Sequence, residues 1–335
     1  MSRETMTTLN NDILIGFQEV YGKAWHYDDA YQGAESNHYT GAIPVEDVYR
    51  RLFDWEPMDG EITITAIGES GVIQITDGKR KAILRSDTAA VLGIFTKSYQ
   101  VHPYKEWLVE NVETILSTKL AIGRAGLLQN GGVAFVQVEM KETMTHSGID
   151  FRPFLTASTS MNGKYATSYV TGAQLAVCDN TLDAAIHSAA ASYKLKHTRY
   201  SLNKILEARE ALEIAEVVGD NFTKQLDVLL DEAVTDARFE AFADAFTGFD
   251  PNADEGRAKT LATNKRNDLS DLWYNDNRVT PWKNTAFGVV QAVNTFGHHV
   301  ANVRGATRLE RNAERILSGA VHAMDQGTLD LLATV

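Results

Sequence analysis

Apolar and polar side chains alternate with a period of two between residues 61 and 96. Ile62 and Ile64 alternate with threonine neighbours, and Asp77-Gly78 separates this run from the next apolar run. Alternation bounded by glycine and Asp-Gly is typical of antiparallel strands joined by tight turns. We therefore predict a series of such strands in this part of the chain.

A helix is predicted on each side of these strands. Between Pro44 and Phe53 the apolar side chains follow the 3.6-residue period of a helix, with proline at a favoured first-turn position. Residues 104–118 show the same period, with Trp107 on the apolar face. Residues 1–43 are polar and interrupted by glycines, and we predict an arm that packs locally.

The chain between residues 127 and 178 is rich in Thr, Val and Tyr, which favour strands. Asn130-Gly131 and Asn162-Gly163 each separate two such runs. Asn-Gly between apolar runs is a strong short-range signal for a hairpin. We predict a largely antiparallel sheet that ends near Cys178.

Beyond Asn180 the apolar positions change to the helical period. Ser201 and Thr235 are predicted N-caps, because a side-chain oxygen can accept a hydrogen bond from the first turn of a helix. Thr280-Pro281-Trp282 is a predicted break. The predicted helices cover residues 201–234, a segment that begins at Thr235, and residues 257–274, 284–303 and 307–322.

Strands followed by helices, without a fixed repeat, predict an α+β fold. We expect a largely antiparallel sheet with packed helices in the N-terminal half, followed by a mostly helical C-terminal half. The predicted segments are an arm (1–43), an antiparallel α+β domain (44–190) and a helical region packed on it (191–335). No Gly/Ser linker separates the last two segments.

The composition is that of a soluble globular protein, with 44% hydrophobic and 23% charged residues. The single cysteine, Cys178, excludes an internal disulfide and a zinc site built from two or more cysteines. No stretch approaches the roughly 18 consecutive apolar residues of a membrane helix. We therefore expect a cytoplasmic protein with no membrane partner.

The formal net charge of −12 is concentrated in one stretch. Residues 211–256 hold twelve acidic side chains against Lys224 and Arg238. Such a stretch is either a solvated face or a surface for a protein partner. An acidic surface can also mimic nucleic acid and occupy the DNA-binding site of a basic protein.

Basic tracts with aromatic neighbours remain in this acidic chain. Cations can follow the phosphates of a nucleic acid while aromatic rings stack on unpaired bases. The alternative is that the charges are solvated and the aromatic residues are core anchors. The predicted nucleic-acid-binding residues are Lys79, Arg80, Lys81, Lys194, Lys196, Arg199, Tyr200 and Lys204.

Standard catalytic and cofactor motifs are absent from the sequence, including the phosphate-binding glycine-rich loops and H-E-x-x-H. No cofactor and no metal site are therefore predicted, and His298-His299 shows no metal-ligand spacing. Cys178 with His187 and Asn180 forms a nucleophilic site only if a base or a helix N-terminus lowers the thiol pKa. A buried cysteine that packs as a small apolar side chain is the more frequent case.

Several short motifs are specific enough to compare with known families. Residues 177–182 read VCDNTL and include Cys178, Asn180 and Thr181. The other motifs lie at residues 91–102, 125–133, 284–293 and 308–319. Together they resemble the domain of unknown function 932 family, the phage- and plasmid-like proteins, whose V-C-x-N-T-L motif is the most specific of the set.

Two positions depart from the family pattern. Phe287 stands where the family usually has Trp, and Gln291 stands where it usually has Asn, which weakens an amide role at that position. The resemblance spans about residues 45–325 and implies no reaction. It implies a bacteriophage or plasmid setting among genes of DNA metabolism, in the cytoplasm of a host cell.

We predict a non-enzymatic protein that binds or anneals single-stranded nucleic acid, and we expect a homo-oligomer. Binding is either local or distributed around an oligomeric ring whose grooves align the basic residues of the second tract. The net charge of −12 opposes this prediction, because counterion release needs a coherent positive surface. The alternatives are a protein-interaction module that uses residues 211–256, and an enzyme of unknown reaction.

Overall fold

The computed structural model describes residues 3–24, 27–68, 71–116, 119–175, 181–182, 192–195, 215–303 and 308–335. The chain forms two compact units. Unit 1 comprises Met1–Lys141, Phe154–Val170 and Ser192–Ile214, and unit 2 comprises Glu142–Pro153, Thr171–Ala191 and Ala215–Val335. These units interleave along the chain, whereas the predicted segments 1–43, 44–190 and 191–335 are contiguous. That division stays a prediction.

The fold is α+β, as the sequence predicted, with antiparallel strands in the N-terminal half and helices in the C-terminal half. The described strands are β1 (Ile13–Ile15), β2 (Pro57–Gly60), β3 (Thr63–Gly68), β4 (Gly71–Thr76), β5 (Arg80–Arg85), β6 (Val91–Thr96), β7 (Leu120–Leu128), β8 (Val133–Met140), β9 (Met144–His146), β10 (Ile149–Ser160), β11 (Thr167–Leu175), β12 (Thr181–Leu182) and β13 (Ser192–Leu195).

The described α-helices are α1 (Arg3–Asn11), α2 (Gln18–Tyr21), α3 (Val45–Val48), α4 (Asn111–Glu113), α5 (Ala215–Asp231), α6 (Asp236–Thr247), α7 (Arg257–Asn275), α8 (Ala286–Thr295), α9 (Arg308–Ser318) and α10 (Ala320–Leu332). Wider π-helical turns precede or extend three of them, at Tyr49–Phe53, Lys105–Glu110 and Phe296–Val300. Among the described residues, no helix is both long and apolar enough to cross a membrane.

The main sheet of unit 1 is built around the hairpin of β7 and β8, which pair antiparallel. The predicted turn lies between them, with Asn130 at φ 56° and Gly131 at φ 91°. Asparagine and glycine tolerate this left-handed backbone better than other residues do. β1 pairs with the other edge of β7, so the N-terminal segment contributes a strand where the sequence predicted only a local arm.

Two helical segments cover this sheet and supply much of its core. Val48 and Leu52 come from the segment that begins after Pro44, and Trp107 and Val112 come from the segment before residue 114; all four are buried. They belong to one apolar cluster with the inward side chains of β7 and β8. The period read from the sequence therefore identified the buried face of both helices.

Two small sheets complete unit 1. β5 pairs with β2 on one side and with β6 on the other. β3 and β4 form a separate two-stranded hairpin. The strands predicted from the alternation in residues 61–96 are thus present, although their division into two sheets was not predicted.

The helices of unit 2 are joined by aromatic packing. Phe239 of α6 stacks on Trp273 of α7 at a ring-centroid distance of 4.2 Å, and both side chains are fully buried. Thr235 caps α6, as predicted, by accepting a hydrogen bond from the Arg238 amide.

The start of α8 packs closely against the turn before it. Gly288 of α8 lies where an added Cβ would meet the carbonyl oxygen of Trp282 at 2.2 Å.

The C-terminal helix boundaries differ from the prediction. The sequence predicted one helix over residues 307–322, whereas α9 ends at Ser318 and α10 begins at Ala320. Gly319 between them has φ 77°, a left-handed backbone that ends an α-helix. The predicted helix over 104–118 also ends early, at Glu113.

Candidate nucleic-acid interface

The first predicted basic cluster begins at a turn that Asp77 organises. The Asp77 carboxylate accepts hydrogen bonds from the backbone amides of Lys79 and Arg80, at 2.8 and 3.2 Å. It also accepts one from the Arg80 Nε at 2.7 Å. The amide of Lys79 and the guanidinium of Arg80 together hold the pKa of Asp77 below its usual range. The turn therefore places an ion pair between Asp77 and Arg80 at the start of β5.

Lys81 is neutralised in a similar way by another strand. Its Nζ lies 2.9 Å from the Asp59 carboxylate of β2. Of the three cations in this cluster, Arg80 and Lys81 are thus paired within the protein. Ion pairs at the surface contribute little to stability. Lys79 is exposed, and no ion pair involving its ammonium is found among the described residues.

Lys97 adds a further cation, which was not among the residues predicted to bind nucleic acid. Its backbone amide donates to the Lys79 carbonyl at 3.2 Å, so the two residues are neighbours across the end of the sheet. Like Lys79, it is exposed and has no ion pair in the described part of the chain. A cleft of about 260 Å³ opens here, lined by Asp59, Gly60, Glu61, Asp77, Arg80, Lys81 and Lys97.

The hairpin of β3 and β4 leads into this cluster, and its two strands are solvent-exposed from end to end. All twelve of its strand residues are solvent-exposed, and none of them is charged. Ile64 faces Ile75 and Ile67 faces Val72 across the two strands, with Ile67 88% exposed. An isolated two-stranded hairpin is at best marginally stable in water, and large apolar side chains exposed together mark a binding surface.

An aromatic pair flanks Lys97, with Phe95 in β6 and Tyr99 just beyond the end of that strand. Phe95 stacks on Tyr99 at a centroid distance of 3.9 Å, and Phe95 faces Lys81 in the pairing of β5 with β6. Burial raises the pKa of Tyr99 to about 12, so its hydroxyl stays protonated and donates to the Ser160 carbonyl at 3.3 Å. The aromatic residue predicted to bind nucleic acid, Tyr200, lies elsewhere in the chain.

The second predicted basic tract lies mostly outside the described residues. The backbone of Lys194 belongs to β13 and pairs with Ser168 of β11. Lys196, Arg199, Tyr200 and Lys204 lie outside the described residues, as do Cys178, Asn180 and His187. The backbone of Thr181 pairs with Gln174 in β11. The predicted thiol site and this basic tract therefore stay predictions.

The acidic stretch 211–256 is extensively ion-paired within unit 2. Six of its carboxylates lie within 4.0 Å of a basic side chain. The pairs are Asp227 with His146, Glu232 with Arg238, Asp236 with Lys283, Glu240 and Asp244 with Arg266, and Glu255 with Lys259. Part of the negative charge is thus compensated locally: four Lys and Arg side chains pair with five of these carboxylates, whereas His146 compensates Asp227 only when it is protonated. Within the described residues, no group of three or more His, Cys, Asp or Glu side chains is placed to hold a metal ion.

Comparison with known proteins identifies one family. A family model described as "Domain of unknown function (DUF932)" matches residues 91–318. No curated protein and no solved structure matches the chain.

Proposed function

The chain belongs to the DUF932 family, and from the geometry of its exposed hairpin we propose that it binds single-stranded nucleic acid without catalysing a reaction. We place it in the DNA metabolism of a phage or plasmid, where such a protein would coat or anneal unpaired strands. The observation that carries the proposal is the exposure of the uncharged strands β3 and β4 next to Lys79 and Lys97, whose ammonium groups form no ion pair in the described part of the chain.

The chemistry of the hairpin fits an unpaired strand. Exposed isoleucine and valine side chains can insert between bases, as apolar wedges do in other nucleic-acid-binding proteins. Lys79 and Lys97 can reach phosphates at the same end, since neither forms an ion pair in the described part of the chain. Arg80 is about half exposed, and of its guanidinium groups only Nε donates to Asp77 among the described residues, so its remaining N–H donors supply a third contact. The bound nucleic-acid strand would displace water from the apolar surface. Its phosphates would release the counterions that surround them when they contact the lysines.

The expected salt dependence follows from these three cations. One phosphate contact each from Lys79, Arg80 and Lys97 gives a slope of about −2 for log affinity against log salt on a single strand. The affinity should therefore fall about twentyfold between roughly 50 and 200 mM salt. A chain with a net charge of −12 would show no such fall without a local basic contact.

The test is fluorescence anisotropy of a labelled single-stranded oligonucleotide with three forms of the full chain. In the Lys79→Gln/Lys97→Gln variant, one cation remains, so the fall over the same salt range should shrink to about threefold. The Lys224→Gln/Lys265→Gln variant removes two exposed lysines of unit 2 and is the charge-matched control. It should bind as the parent does.

A second variant tests the apolar part of the hairpin. Ile67→Ser/Val72→Ser removes two side chains that are 88% and 67% exposed, so circular dichroism should show an intact fold. The affinity should fall by the same factor at both salt concentrations, because no charge is lost. No binding by the parent protein, or equal losses in both lysine variants, would overturn the proposal.

A further inference from the structure

Unit 2 contains a cluster of arginines that the hairpin proposal does not use. Arg308, Arg311 and Arg315 follow one another at intervals of three and four residues along α9. Residues at this spacing lie on one face of a helix. All three are partly buried, so this arginine face is not an ordinary solvated helix surface.

The three guanidinium groups converge on the turn Phe296–Val300 that extends α8. Arg308 donates to the His298 carbonyl at 3.1 Å, and Arg311 donates to the Gly297 carbonyl. Gly297 also makes room for Arg315, because a Cβ there would lie 2.9 Å from the Arg315 Nη1. A larger residue at this position would displace the third guanidinium.

The partners of this face are neutral groups. Arg311 donates to the Ala301 carbonyl and to the Asn312 amide oxygen, and Arg315 contacts the Met324 sulfur. Among the described residues, none of the three arginines forms an ion pair with a carboxylate. The carbonyls at a helix C-terminus carry only about half a negative charge in total. Apart from the attraction between Arg315 and the Asp325 carboxylate, these positive charges are therefore largely uncompensated within the described residues.

The electrostatics of the cluster agree with this geometry. Burial, together with the positive charges of Arg315 and Arg308, holds the pKa of Arg311 below its usual range. Burial likewise lowers the pKa of Arg315, against the opposing charge of Asp325. Asp325 is itself fully buried and accepts a hydrogen bond from Asn294 at 2.8 Å. An anion at the arginine face would relieve the mutual repulsion.

We propose that the arginine face Arg308/Arg311/Arg315 binds the phosphate monoester group of a ligand. A phosphate monoester carries about −1.5 to −2 charges at pH 7, which compensates three guanidiniums better than a carboxylate would. Guanidinium groups bind phosphate oxygens through paired N–H donors. In the described part of the chain, Arg308 uses a single protein acceptor, the His298 carbonyl, and its other donors remain for the ligand.

Isothermal titration of the full chain with inorganic phosphate, at constant ionic strength against chloride, tests the proposal. Arg308→Gln should weaken phosphate binding about tenfold, because it removes one charge-assisted contact. Arg257→Gln removes an exposed arginine of α7 that has no described partner and should leave binding unchanged. Adenosine monophosphate, titrated in parallel, shows whether a nucleotide supplies the phosphate. A 5′-phosphorylated oligonucleotide compared with its 5′-hydroxyl form shows whether a strand end does.

A measurement on the parent protein avoids variants that fail to fold. Phosphate should slow modification of Arg308 and Arg315 by phenylglyoxal severalfold, and should leave Arg257 unaffected, as read by peptide mass spectrometry. No phosphate binding by the parent, equal affinity in both variants, or unprotected arginines would each overturn the proposal. The Lys79→Gln/Lys97→Gln variant should retain phosphate binding, so this result is separable from that of the hairpin experiment.

Discussion

Asp12 provides a sharp test of the packing in unit 1. Its side chain lies just before β1, and burial raises its pKa to about 6, despite the opposing charge of Arg85. The folded protein therefore holds a proton that the unfolded chain releases near its ordinary pKa of 3.8. Between these two pKa values the folded state binds more protons, so this group makes the free energy of unfolding fall as the pH rises.

The magnitude follows from the two pKa values. A tenfold change in acid constant corresponds to about 1.4 kcal/mol. The ionised Asp12 carboxylate therefore costs the fold about 3 kcal/mol at pH 7.5 and about 0.5 kcal/mol at pH 4.0. The variant Asp12→Asn has no carboxylate to ionise. Its advantage over the parent should be present at pH 7.5 and nearly absent at pH 4.0.

Urea unfolding followed by tryptophan fluorescence at the two pH values measures this difference. Asp254→Asn removes an exposed loop carboxylate and is the control for the change in net charge. An advantage of Asp12→Asn that is equal at both pH values, or larger at pH 4.0, would refute the reasoning. Such a result would mean that the carboxylate is solvated in the folded protein.

Three further predictions concern stability and are checked by the same urea unfolding experiment. Gly288→Ala should destabilise the protein by more than about 2 kcal/mol, because its Cβ would meet the Trp282 carbonyl at 2.2 Å; parent-like stability would contradict this packing. Tyr104→Phe should cost about 1–3 kcal/mol, since the buried hydroxyl donates to the Gly131 carbonyl at 2.8 Å. Thr235→Ala should cost about 1 kcal/mol by removing the cap of α6, and Thr235→Ser should restore it.

Local sequence patterns predicted several strands and turns of unit 1 correctly. The period of two identified strands β3 to β6, and the Asn130-Gly131 pair identified the turn between β7 and β8. β1 escaped detection because a strand of three residues is too short to display a period. Gly319 ended a helix that periodicity alone would continue.

The candidate interface was only half visible in the sequence. Lys79, Arg80 and Lys81 stand together in the chain, and they do lie together in the fold. The sequence did not predict that Lys81 is neutralised, because the Asp59 carboxylate that pairs with it comes from a strand 22 residues away. Lys97 became part of the cluster only through the pairing of β5 with β6.

The sequence by itself determined the fold class, the family and most of the elements, because periodicity, turn chemistry and short motifs are properties of neighbouring residues. Tertiary structure alone decided which charges are compensated and which apolar residues stay exposed. Ile64 and Ile83 both lie in alternating strands, yet one is 49% exposed and the other is fully buried. Burial depends on which elements pack against a strand, and contacts between distant residues settle that.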